Sequence, residues 1–66
     1  MTCVGDMVVI TEGPFENYTA IVKEIKSHNI DFRFKLNVVK YPDGIPVENG
    51  TDYECDDHEF ELLEVR

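Results

Sequence analysis

From Phe32 to Val38 the chain alternates: Phe32, Phe34, Leu36 and Val38 are apolar, and Arg33, Lys35 and Asn37 between them are polar. A period of two belongs to the β-strand, whose successive side chains leave opposite faces of the sheet. The pattern therefore predicts a strand with Phe32, Phe34, Leu36 and Val38 in a core and with Arg33 and Lys35 in water. Whatever surrounds this segment has to supply partner strands and an apolar layer for it to cover.

The flanking sequence supplies both. Met7 to Thr11 is an apolar, β-branched run bounded by Gly5-Asp6 and Gly13-Pro14, which predicts a short buried strand. Pro14 cannot donate a ladder hydrogen bond, so the residues from Gly13 to Asn17 form a connection. Tyr18 to Lys26 contains β-branched Thr19, Ile21, Val22 and Ile25 without a capping pattern, which predicts a second strand with Ile21 and Ile25 on one side and Val22 on the other. Tyr41-Pro42-Asp43-Gly44 has Pro, Asp and Gly where a type I turn followed by a bulge takes them. A fourth strand is expected near Ile45 to Val47, resuming at Tyr53 to Cys55 after the turn-like Glu48 to Asp52. Asp56-Asp57-His58-Glu59 reads as one helical turn capped by Asp56 or Asp57. Phe60 to Val65 reads as the last strand, with Phe60, Leu62 and Leu63 in the core.

Five short strands and a single helical turn before the last of them describe an all-β fold, a small five-stranded barrel of SH3-like shape formed by residues 1–66 as one domain. Curling the sheet protects edges that an open sheet of this size would expose. With 66 residues the chain buries roughly 60% of the surface exposed by its unfolded form, which leaves little volume for a deep catalytic pocket. Binding across an exposed face is the simpler task. The 42% hydrophobic and 30% charged composition excludes wholesale disorder despite a net charge of -8.

That charge is unevenly distributed. Residues 1–19 carry three carboxylates, residues 20–41 carry five cations against two carboxylates, and residues 42–66 carry nine carboxylates against Arg66. A net acidic chain is repelled by phosphate backbones, so the balance favours a protein partner over RNA, with the basic middle segment as the local exception. Cys3 and Cys55 could form one disulfide, but no apolar secretory segment precedes them, and a cytoplasmic location is the expectation. The sequons at Asn17 and Asn49 are then incidental to turn-rich sequence. No stretch reaches the roughly 18 apolar residues of a membrane span, so no membrane partner is expected.

The stretch Gly5-Asp6-Met7-Val8-Val9-Ile10-Thr11-Glu12-Gly13-Pro14-Phe15-Glu16-Asn17-Tyr18-Thr19-Ala20-Ile21-Val22-Lys23-Glu24-Ile25 resembles the KOW motif of NusG-type transcription elongation factors and several ribosomal proteins. The resemblance lies in Gly5-Asp6, the apolar run, Gly13-Pro14-Phe15 and the aromatic Tyr18, over about a third of the chain. It implies a barrel that contacts RNA, RNA polymerase or other proteins through its loops. Two positions depart from the pattern. Ala20 stands where many KOW motifs have glycine, and Glu16 sits in a connection where many have a basic residue.

No cofactor and no metal are expected. Cys3, His28, Cys55 and His58 offer metal-ligating atoms, but only Cys55 and His58 are closely spaced, whereas structural zinc sites take such pairs at both ends. Cys55 is also a poor nucleophile, because Glu54, Asp56 and Asp57 beside it disfavour the thiolate. The chain is therefore expected to be a non-enzymatic, monomeric binding module of the transcription or translation machinery. Its candidate contact residues are Phe15, Asn17, Tyr18, Arg33, Lys35, Lys40 and Tyr41. The alternative is an acidic interaction or inhibitor protein, DNA-mimic-like, that meets a basic protein surface through Asp52, Glu54, Asp56, Asp57, Glu59, Glu61 and Glu64.

Overall fold

The structure is a computed structural model that describes residues 2–28 and 31–63. Its strands are β1 (Met7–Ile10), β2 (Thr19–His28), β3 (Asp31–Lys40), β4 (Pro46–Cys55) and β5 (Phe60–Leu62). All pairings are antiparallel, within one sheet of order β4-β3-β2-β1-β5. The alternation in β3 appears as expected from Phe34 onward: Phe34, Leu36 and Val38 are buried.

The buried set draws on every strand, with Val8 and Ile10 from β1, Ala20 and Val22 from β2, Cys55 from β4 and Phe60 from β5. The sheet curls so that its two ends approach each other. Phe34 of β3 meets Phe60 of β5 edge to face with centroids 5.1 Å apart, and the Tyr53 hydroxyl of β4 donates to Glu59, just before β5, at 2.7 Å. The fold is thus all-β and SH3-like in its curl. Among the described residues, side chains rather than a ladder join β4 to the β5 end.

Register irregularities explain which side chains point inward. Val22 pairs with Leu36 but Glu24 pairs with Lys35, so Lys23 is an extra residue, a β-bulge. The bulge reverses the facing of everything after it, so Ile25, expected with Ile21 on the face opposite Val22, instead packs against the same core as Ala20 and Val22, opposite Phe34. In β4 a larger irregularity separates Lys40↔Pro46 from Val38↔Thr51, and it carries residues 47–50 off the regular ladder. The interruption expected between the two halves of the fourth strand is this shift of register within one strand.

Three further expectations need correction. Phe32 is 54% exposed rather than in the core. β1 pairs with β2 no farther than Ile21, and β4 pairs with β3 no farther than Phe34, so the β2–β3 hairpin projects beyond both neighbours and, among the described residues, no further strand covers Phe32. Leu62 is 46% exposed, being on an outer strand with a neighbour on one side only. Residues 56–59 form a hydrogen-bonded turn instead of a helical one: Asp56 Oδ1 accepts from the His58 N–H at 3.1 Å, and the Asp56 carbonyl accepts from the Glu59 N–H at 3.4 Å. Such an Asx-type closure satisfies the local donors without a second turn. Glu64 and Val65, expected on the acidic surface and in the last strand, lie outside the described residues.

Candidate functional site

The connection between β1 and β2 folds back on itself through two successive turns, with Glu16 N–H donating to the Gly13 carbonyl at 3.2 Å and Tyr18 N–H to the Phe15 carbonyl at 3.0 Å. Bonds from Asn17 N–H to the Ile10 carbonyl and from Ile10 N–H to the Tyr18 carbonyl close its base. Asn17 has φ 73°, a left-handed conformation in which Asn is enriched among residues with a Cβ. Its residue type thus has a backbone reason.

Gly13 has φ 97°, and a Cβ built there would lie 2.6 Å from the Tyr53 hydroxyl oxygen. That hydroxyl is held in place by Glu59, whose backbone carbonyl also accepts from the Thr11 N–H at 2.8 Å. Glycine is needed here for both reasons: the dihedral and the approach of a tethered tyrosine. The hydrogen bond to the Glu59 carboxylate, with burial adding to it, pushes the Tyr53 hydroxyl up to about 12.

Tyr53 also begins a chain of aromatic contacts. Its ring meets Phe15 at 5.4 Å, Phe15 meets Tyr18 at 5.4 Å and 84°, and Tyr18 meets Tyr41 at 5.5 Å and 55°. The first two are the favourable edge-to-face arrangement, and the third is a tilted contact. Phe15, Tyr18 and Tyr41 form one wall of a groove of about 320 Å³, and Val38, Val47 and Glu48 contribute to the rest. The structure therefore brings together four of the candidate contact residues, Phe15, Asn17, Tyr18 and Tyr41, at one end of the sheet.

The basic candidates lie elsewhere or in different company. On the outer face of β2, β3 and β4, Lys23 bonds Asp52 at 3.0 Å, Lys26 bonds Glu54 at 3.0 Å, and Lys35 lies 3.7 Å from Glu24. Asn37 adds a 3.1 Å bond to Asp52. The hydrogen bonds from Lys23 and Asn37 hold the Asp52 carboxyl below its ordinary range, the bond from Lys26 does the same for Glu54, and Lys26 is raised in turn by Glu54. Arg33 is exposed on this face, opposite Lys26 in register, and Lys40 is exposed just before Tyr41.

The acidic candidates do not form one strip. Asp52 and Glu54 belong to the lysine lattice, Glu59 holds Tyr53, Asp56 closes its turn, Asp57 lies 3.8 Å from His58, and Glu61 is exposed on β5. Of the two thiols, both free, Cys3 is exposed and Cys55 is wholly buried. Burial first, and the nearby Glu59 and Asp56 charges second, push the Cys55 thiol up to about 11.

Sequence reasoning missed Tyr53, Val47, Glu48, Asn49 and Thr51 as neighbours of the site. Tyr53 carried a usable signal, since it lies two residues before Cys55 and so on the same face of a strand. Val47 was legible only as the end of a strand and Glu48, Asn49 and Thr51 only as turn formers, because the register shift that brings them to the groove leaves no periodic trace.

Ala20, the position that departs from the usual glycine, is fully buried between Val8 and Val38, its partners in register. Its methyl group fills core space, next to a register shift of the β2–β3 ladder between Thr19 and Ala20. No curated protein and no solved structure matches the chain. A family model described as the KOW motif matches residues 4–39, which is 36 of the 66 residues and takes in β1, the Gly13 connection, β2 and most of β3. With more than half of its length accounted for in this way, the chain belongs to the KOW motif family.

Proposed function

We propose that this protein is a non-enzymatic binding module that contacts a protein partner of the transcription or translation machinery through the aromatic groove beside the β1–β2 connection. KOW domains are binding modules rather than an enzyme family, which supports the general class. The observation that carries the choice of surface is the convergence of Phe15, Tyr18 and Tyr41 on one groove. Tyr41 remains 42% exposed, so the groove offers aromatic surface to a partner.

Two features favour protein over RNA. Lys23, Lys26 and Lys35 are neutralised within the sheet by Asp52, Glu54 and Glu24, which lessens their attraction for phosphates. The net charge of -8 acts in the same direction at longer range. The acidic-surface alternative has weaker support, because Asp52, Glu54 and Glu59 already have internal partners.

Affinity capture on the immobilised protein from a lysate of its own cells, with the recovered proteins identified by mass spectrometry, tests the reading. Polymerase-associated or ribosome-associated proteins are expected, and Tyr41→Ala is expected to reduce their recovery severalfold. Recovery of neither class, or recovery indifferent to Tyr41, removes the basis for the proposal.

A further inference from the structure

The aromatic rings of the groove are steeply inclined to one another, at 84° for Phe15 and Tyr18 and 55° for Tyr18 and Tyr41. A platform for successive stacked bases requires ring faces laid out along a surface. Inclined rings instead enclose a concave space into which one group can project, and a cation is attracted by the electron-rich faces it meets there.

The charge of the lining agrees. Glu48 is the charged residue among the groove's lining residues, and Asn49 and Thr51 add neutral polar atoms beside it. Glu16 is exposed in the connection that carries Phe15 and Tyr18, and Asp43 is exposed in the turn that follows Tyr41. The nearest cation in sequence, Lys40, does not line the groove. An anionic ligand would meet like charge at the rim, whereas a cationic one finds both π faces and a carboxylate.

From this we infer that the groove receives an arginine side chain carried on a basic, extended segment of the protein partner, with its guanidinium against Tyr18 and Tyr41 and its charge facing Glu48. Arginine fits better than lysine because its planar, weakly hydrated head stacks on aromatic faces. The inference rests on the proposed binding role of the groove and adds the chemistry of what enters it.

The test is an amide chemical-shift titration of the intact protein with a capped arginine–glycine–serine repeat peptide, the same peptide with citrulline for arginine, and oligouridylate. The arginine peptide is expected to move the signals of Tyr18, Tyr41, Glu48 and Thr51, and the isosteric but uncharged citrulline peptide to leave them in place. Tyr41→Ala should weaken binding at least about fivefold and Glu48→Gln about two- to threefold. Lys40→Ala should leave binding unchanged or tighten it, the opposite of what a phosphate site would give. Equal binding of the citrulline peptide, shifts confined to the β2–β4 outer face, or movement of the groove signals by oligouridylate alone would each overturn the inference. If the peptide fails while capture of a transcription or translation partner still depends on Tyr41, this inference falls alone; if that dependence is also absent, the binding role falls with it.

Discussion

Replacing Gly13 with alanine adds two separable costs. A residue with a Cβ at φ 97° is strained by about 1–2 kcal/mol. The new Cβ would also stand 2.6 Å from the Tyr53 hydroxyl oxygen, well inside ordinary contact, so the hydroxyl has to leave its 2.7 Å bond to Glu59. A hydrogen bond to a charged acceptor contributes about 1.5–3 kcal/mol. Together the substitution should cost about 2.5–5 kcal/mol. A chain of 66 residues has a total stability on the order of 3–10 kcal/mol, so the substitution should remove from about a quarter to all of it. Two further variants separate the terms. Gly5 has the same φ of 97° but open space around its Cβ direction, so Gly5→Ala should cost the strain alone. In a Tyr53→Phe background the obstructing oxygen is gone and the ring carbon beneath it lies at an ordinary 3.6 Å, so Gly13→Ala should there cost about as much as Gly5→Ala. Urea unfolding followed by far-ultraviolet circular dichroism measures all of these. An equal cost of Gly13→Ala with and without the Tyr53 hydroxyl would refute the reasoning.

Thermal unfolding should distinguish the two phenylalanines at the start of β3. Phe34→Ala, at a buried ring packed edge to face against Phe60, should cost about 3–5 kcal/mol, whereas Phe32→Ser on the projecting hairpin should cost under about 1 kcal/mol. A thiol-reactive disulfide reagent should modify Cys3 rapidly and Cys55 only after denaturant is added, because Cys55 is both buried and raised to about 11. Alkali should weaken the fold through Tyr53. Its pKa is raised from 10.0 to about 12, so its contribution is fully present below pH 10 and is lost as the pH climbs towards 12; Tyr53→Phe should flatten that part of the stability profile.

The strands of this fold were readable where a period of two runs unbroken, as in β3, or where β-branched residues lie between glycine and proline, as in β1. Lys23 was not readable as a bulge. An extra residue inside a ladder is defined by its partners across the sheet, and the local pattern of β2 looks regular without them. Phe32 was misplaced for a related reason: alternation says which face a side chain takes, but coverage depends on how far the neighbouring strands extend. The aromatic site was half legible. Phe15, Tyr18 and Tyr41 flank recognisable turns, whereas Tyr53 reaches Phe15 only because the sheet curls, and Glu48 reaches the groove only because β4 leaves its ladder.

The ladder between β1 and β5 joins residues such as Ile10 and Phe60 that are fifty positions apart, while β2, β3 and β4 follow one another through hairpins. Three residues of β5 and the ring of Phe60 have to offset the entropy of holding that long span together. The seam beside β5 is consequently where the molecule should breathe, with amide hydrogens there exchanging before those of the central hairpin. Release of β5 would carry Glu59 away from Tyr53 and unlatch the Gly13 connection, so the same small strand that closes the sheet also governs how firmly the aromatic wall is held.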